Sequence, residues 1–126
     1  MLSRRRPTVN STIRRGDIVR VRLDPVEGSE QAGERPALVV SADLINEHSP
    51  VIIVAAITSK KTDRVYPFEA LIEPPDGGLT MRSKISLLQI RSIDKRRVIG
   101  RYGTVSTDTM LSVEEALRIA TGLRQL

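Results

Sequence analysis

Arg35 and Thr58 are the residues of this chain whose types and surroundings best suit chemistry. Arg35 lies in Gln31-Ala32-Gly33-Glu34-Arg35-Pro36, directly ahead of the apolar run Ala37-Leu38-Val39-Val40. Thr58 follows a second apolar run, Val51-Ile52-Ile53-Val54-Ala55-Ala56-Ile57, and leads into Ser59-Lys60. If the two runs are strands and pair, Arg35 and Thr58 meet at one rim of a sheet. Spacing alone also allows Arg35 to be a structural arginine paired with Glu34 or Glu30, and Thr58 to be a turn residue. Taken as a site, the pair lacks a nucleophile activated by a base. One reaction supplies its own nucleophile: cleavage of RNA by the adjacent 2′-hydroxyl. The protein then has to place the phosphate, stabilise charge on the pentacoordinate centre and help protons move. A guanidinium suits that charge, and one preorganised donor is typically worth about 10²–10³ in rate. The pKa of an arginine side chain, above about 12, makes it a poor general base. Thr58 would hold a phosphate oxygen through its hydroxyl.

The remaining composition offers little conventional catalytic chemistry. The chain has 126 residues, which sets an expectation of one domain able to fold without a staple. Cysteine is absent, which excludes disulfides, thiolate metal sites and a cysteine nucleophile, and fits a reducing cytoplasm. The single histidine, His48, sits in the loop-like Glu47-His48-Ser49-Pro50 and reads as a plain exposed side chain. No metal-ligand spacing and no phosphate-cradling glycine loop occur, so neither a metal nor a cofactor is expected. Gly100-Arg101-Tyr102-Gly103 has the spacing of a KH-domain loop but lies in strand-like sequence. Twenty Lys plus Arg oppose fifteen Asp plus Glu, for a net charge of +5. That balance favours an anionic partner, and the preponderance of arginine favours phosphate. The only aromatics are Tyr66, Phe68 and Tyr102, too few for a multi-base stacking sheet. No apolar run reaches the length of a membrane span, and the amino-terminal stretch does not read as a signal peptide.

The elements that would position the pair are mostly strands. Residues 1–13 are rich in Ser, Arg, Pro and Thr without an apolar period, and read as a disordered basic tail ahead of a domain over 14–126. Ile18, Val19, Val21 and Leu23 predict a strand with Arg20 and Arg22 on its other face. Pro36 marks the start of the next strand, and Val51–Ile57 is a third. Between them, 42–47 is long enough for one helical turn. Pro67–Ile72 reads as an edge strand and Pro74-Pro75-Asp76-Gly77-Gly78 as a turn. Ser83–Ile93 and Val98–Val105 are two more strands, joined by the tight, basic Asp94-Lys95-Arg96-Arg97. Thr107-Asp108 would cap a helix over 109–123, with Met110, Val113, Leu117 and Ala120 at helical spacing and Gly122 at its end. The sum is mainly β with a C-terminal helix (α+β): a meander of five or six short strands forming a small, strongly curved β-barrel.

At these residues the chain resembles the MazF/PemK family of toxin ribonucleases from toxin–antitoxin systems. The resemblance begins at Arg15-Gly16-Asp17-Ile18-Val19 and runs through Glu30 to Ser41. It continues in Ile53-Val54-Ala55-Ala56-Ile57-Thr58-Ser59, Tyr66-Pro67-Phe68-Glu69 and Ser86 to Arg97. It ends with the strand Gly100 to Gly103 and the terminal helix, so it covers nearly everything from Arg14 to Leu123. It implies an SH3-like barrel of the MazF/CcdB-like toxin fold, homodimeric and cytoplasmic. It implies metal-independent, sequence-preferring cleavage of single-stranded RNA, leaving 2′,3′-cyclic phosphate and 5′-hydroxyl ends.

By the same resemblance the catalytic residues fall on Arg35 and Thr58. RNA contacts fall on Ser29, Glu30, Gln31, Gly33, Pro36, Ser59, Lys60, Gln89 and Arg91. Leu88 departs from many members, which carry an acidic or polar residue before that glutamine; this bears on base preference. The implied partners are RNA, a second copy of the chain and a cognate antitoxin, with operator DNA reached only through the antitoxin and no membrane. Two other readings stand beside it: a non-catalytic nucleic-acid-binding barrel, and a DNA-gyrase poison of the same fold.

Overall fold

The computed structural model describes residues 12–22 and 33–126. Six strands make one antiparallel sheet: β1 (Asp17–Arg22), β2 (Glu34–Val39), β3 (Val51–Thr58), β4 (Glu69–Ile72), β5 (Ser83–Asp94) and β6 (Val98–Thr104). Among the described residues two α-helices complete it, α1 (Asp43–His48) and α2 (Thr107–Ala120). The order across the sheet is β4-β5-β3-β2-β1-β6. The expected meander therefore holds within β1-β2-β3 and within β4-β5, and breaks between β3 and β4 and between β5 and β6. β4 lies outside β5, and the chain returns to pair β6 with β1. Only the short 3-10 turn Lys95–Arg97 separates β5 from β6, although three strands lie between them in the sheet. The sheet must therefore curl until the end of β5 meets the start of β6. Among the described residues no pairing joins β4 to β6, so the curl does not close into a complete barrel.

A strongly curled sheet has two interiors, and alternation assigns each residue to one of them. Ile18, Leu38, Ala55, Ile57, Ile85 and Leu87 face α2, where they meet Val113 and Ala116. Val19, Val21, Ala37, Val39, Ile52, Val54, Ile93 and Val98 fill the opposite face. Ile18, Leu38, Ile52 and Ile85 are fully buried, each worth about 1.5–3 kcal/mol in apolar transfer. Ile13, at the edge of the segment read as a tail, is buried in the second cluster. The remainder of that segment lies outside the described residues.

Helix α2 starts two residues earlier than its sequence pattern suggests, because Ser106 is the cap. Its hydroxyl accepts the Thr109 N–H at 3.2 Å. Met110, Leu117 and Ala120 pack against the core beside Val113 and Ala116. The turn after Pro74-Pro75 lies flat against β6. Gly77 and Gly78 have φ of +68° and +80°, and a Cβ on Gly78 would strike the Tyr102 carbonyl.

Strand β5 carries the irregularity that matters most. Ile57 pairs with Ile85 and Ala56 with Ser86, but the next residue, Ala55, pairs with Ile90. Leu87, Leu88 and Gln89 are thus extra, a wide bulge in mid-strand. An odd number of extra residues exchanges the faces of everything beyond it. Ile85, before the bulge, and Leu87, its first residue, face the helix; after it Ile93 joins the opposite cluster.

Candidate active site

β2 and β3 pair with Ala37 opposite Ala56, Leu38 opposite Ala55 and Val39 opposite Val54. Continuing that register by two residues sets Arg35 against Thr58. Both then belong to the face of Ala37, Val39 and Val54, away from α2. On that face lies a groove of about 260 Å³, with Val21, Ala37, Val54 and Ala56 among its walls and Arg35, Gln89 and Arg91 at its margin. The bulge in β5 explains the last two, since without the face exchange Gln89 and Arg91 would share the side of Leu87.

The sequence-predicted residues divide into three groups. Arg35, Pro36, Gln89 and Arg91 line the groove together. Thr58 is exposed just past its end, where its Oγ1 accepts the Lys60 N–H at 3.1 Å. Ser59 lines a neighbouring hollow instead, and Gly33 and Lys60 are exposed outside the groove. Ser29, Glu30 and Gln31 lie outside the described residues.

The electrostatics single out the groove. Glu34, the candidate structural partner of Arg35, contacts Arg20 at 3.4 Å and Arg22 at 3.6 Å instead. The guanidinium groups of Arg35 and Arg91 have no hydrogen-bond or ion-pair partner among the described residues. The basic β5–β6 turn differs. There Arg96 donates to both carboxylate oxygens of Asp94, at 3.1 and 3.0 Å. Those bonds, and the Arg96 N–H, hold the Asp94 carboxyl down to about 2. Among the described residues no three His, Cys, Asp or Glu side chains are grouped to hold a metal ion.

Lys84 was not legible as part of this region. It pairs with Thr58 across β3 and β5. Its Nζ donates to the Arg64 carbonyl at 2.9 Å and contacts Glu69 Oε1 at 3.1 Å, and that oxygen also accepts the Tyr66 N–H at 2.9 Å. This almost fully buried ion pair ties down the loop that leaves Thr58. A lysine in an alternating strand ordinarily reads as solvated, so only the distant Glu69 could have revealed it.

The model of PemK-like, MazF-like toxins of type II toxin–antitoxin systems matches residues 14–121. The chain belongs to that family. Among solved structures, a mycobacterial endoribonuclease in complex with its cognate antitoxin matches with a TM-score of 0.74 at 24% identity, over 90% of this chain and 99% of its own. A chain of the MazE–MazF complex from Deinococcus radiodurans matches at 0.74 and 26%, over 89% and 97%. The Mycobacterium tuberculosis toxin MazF-mt6 matches at 0.72 and 21%, over 86% and 99%. Among the described residues, no helix is long and apolar enough to cross a membrane.

Proposed function

We propose that this chain is the endoribonuclease of a toxin–antitoxin pair, acting in the cytoplasm on single-stranded RNA through 2′-hydroxyl attack. One observation carries the reading. Arg35 stands without a partner among the described residues, in a groove shared with Arg91, two residues beyond the Ala37–Ala56 pair, as Thr58 is on β3. Arg35 stabilises the charge on the pentacoordinate phosphorus, and Arg91 neutralises a neighbouring phosphate. The Thr58 hydroxyl, now an acceptor for Lys60, can rotate to donate to a phosphate oxygen. Gln89 offers both donor and acceptor to a base edge, which supports a sequence preference. The 2′-hydroxyl is the nucleophile, so the reaction needs neither a metal nor a cofactor.

The same reading makes the protein a homodimer with RNA along a shared groove. Val51 and Ile53 support it: they alternate along β3 with the buried Ile52 and Val54 yet stay more than a third exposed, as does Ile90 at the groove. The basic groove suits an acidic antitoxin segment that folds on binding and competes with RNA.

The test is cleavage of RNA in excess EDTA, with a matched substrate carrying one 2′-deoxyribose at the cut. The unmodified RNA should yield 5′-hydroxyl and cyclic-phosphate ends, and the modified one should stay intact there. Inhibition by EDTA that a divalent ion reverses, or cutting at the deoxy position, would sink the mechanism. Binding without any cutting would favour the non-catalytic barrel.

A further inference from the structure

Across the rim from the groove lies a second hollow, of about 210 Å³. Pro36, Ile57, Ser59, Thr80, Met81 and Tyr102 are among its walls, and Pro36 and Ile57 border both concavities. The pleat explains this. Successive residues of a strand point to opposite faces, so Arg35 and Pro36 diverge, as do Ile57 and Thr58. The hollow therefore begins one residue away from each member of the proposed catalytic pair. Tyr102 and Met81 stay 42% and 61% exposed there, although both are large and carry apolar surface. Tyr102 is itself an extra residue in β6. Gly103 pairs with Ile18 and Arg101 with Val19, leaving Tyr102 between them without a partner in β1.

On its other side Tyr102 borders a small basic hollow of about 80 Å³, shared with Arg20 and Arg101. Among the described residues each of these arginines reaches one carboxylate, at 3.4 and 3.5 Å, and keeps nearly half its side chain exposed. Those contacts are longer than the roughly 2.7–2.9 Å of a strong charged hydrogen bond, which leaves capacity for a second anion. The chemistry thus runs in sequence: cations at the rim, an aromatic hollow edged with hydroxyls, then cations again.

Single-stranded RNA alternates phosphate, base and phosphate. We propose that the Tyr102 hollow takes the base of a nucleotide flanking the cut, and that Arg20 and Arg101 take the phosphate beyond it. This rests on the RNA-cleavage reading above. The hollow is smaller than the roughly 300 Å³ at which drug-sized pockets begin, so it holds a single base. Stacking on Tyr102 supplies affinity, and the Ser59 and Thr80 hydroxyls supply choice, since each can donate or accept.

The test compares wild type with Tyr102→Ala, Tyr102→Phe, Thr80→Val and Arg101→Gln on a randomised RNA pool, mapping 5′-hydroxyl ends. Tyr102→Ala should lower kcat/KM by about 5- to 150-fold, the span of one aromatic–base stack. It should also flatten the base preference at a single flanking position. Tyr102→Phe should keep both rate and preference. Thr80→Val, which preserves shape, should alter preference at that same position. Arg101→Gln should keep the preference and lower the salt slope of RNA affinity by about 0.7. A folded Tyr102→Ala with wild-type rate and profile overturns the proposal, as does a Tyr102→Ala that weakens only antitoxin binding. Should wild type cut nothing, the cleavage reading fails separately. Anisotropy with 2′-deoxy-substituted RNA then decides the hollow, and equal affinity for wild type and Tyr102→Ala overturns it.

Discussion

Two polar clusters at opposite parts of the sheet use their side chains in opposite ways. Under α2, Asp76 accepts the Ser106 N–H at 2.8 Å and the Thr109 hydroxyl at 2.5 Å, while Ser106 caps the helix. Each polar group in that clasp answers another. In the groove, Arg35, Gln89 and Arg91 have no side-chain partner among the described residues. A saturated cluster fixes an element in place, as the clasp fixes α2 to the turn before β5. An unsaturated cluster of cations at a concave margin holds its hydrogen-bonding capacity for something that arrives. The contrast is sharper than charge counting, since the β5–β6 turn is equally basic yet has tied Arg96 to Asp94.

Substitutions can break this contrast, and the largest effect belongs to the groove. Arg35→Ala should lower the cleavage rate by about 10²–10³, roughly 3–4 kcal/mol, with an unchanged melting temperature. A folded variant within threefold of wild type would remove Arg35 from the mechanism. Asp76→Ala should do the reverse. It removes the acceptor of the Ser106 N–H and the Thr109 hydroxyl, at a cost of about 1 kcal/mol, visible as a lowered melting temperature with cleavage by the surviving folded protein little altered. An unchanged melting curve would show that the clasp is ornamental. Thr58→Ala removes one neutral donor, about 1 kcal/mol, so cleavage should slow about fivefold in single-turnover kinetics. A loss as large as that of Arg35 would give the hydroxyl a greater role than phosphate positioning.

The smallest effect is a titration at the satisfied turn. Asp94 has a folded pKa of about 2, below the roughly 3.9 of an unperturbed aspartate. Its contribution is therefore present above about pH 4 and fades as pH falls through about 2. Carboxyl NMR should place the midpoint there, and Arg96→Ala should return it toward 3.9. A wild-type midpoint near 3.9 would mean that the turn does not hold its ion pair in solution.

The local elements were legible and their neighbours were not. The apolar runs before Val40 and Thr58 announce β2 and β3 because buried strands need continuous or alternating apolar residues. The rim position of Arg35 and Thr58 followed from those runs once pairing was assumed. Strand order was hidden, because hydrophobic period identifies a strand without naming its partner; nothing in Val98–Thr104 says that it returns to β1. The β5 bulge left a trace in Leu87-Leu88, two apolar residues in succession where alternation allows one. The Ser106 cap was masked by Thr107 and Asp108, which are also preferred capping types one and two positions later. The Tyr102 hollow had no linear signature, since its walls come from β2, β3, β6 and the segment before β5.

The bulge in β5 also sets a rule of parity on the length of this strand. Its three extra residues, Leu87 to Gln89, are an odd number, and oddness alone decides which side the distal half of β5 presents. Deleting one residue would leave two, an even count. Arg91 and Ile93 would then turn toward the helix side, while Ser92 turned toward the groove. Deleting two would leave an ordinary single-residue bulge and keep Arg91 where it is. Heritable change in the length of this segment should therefore proceed by pairs of codons, with single-codon changes eliminated even where no catalytic residue is touched.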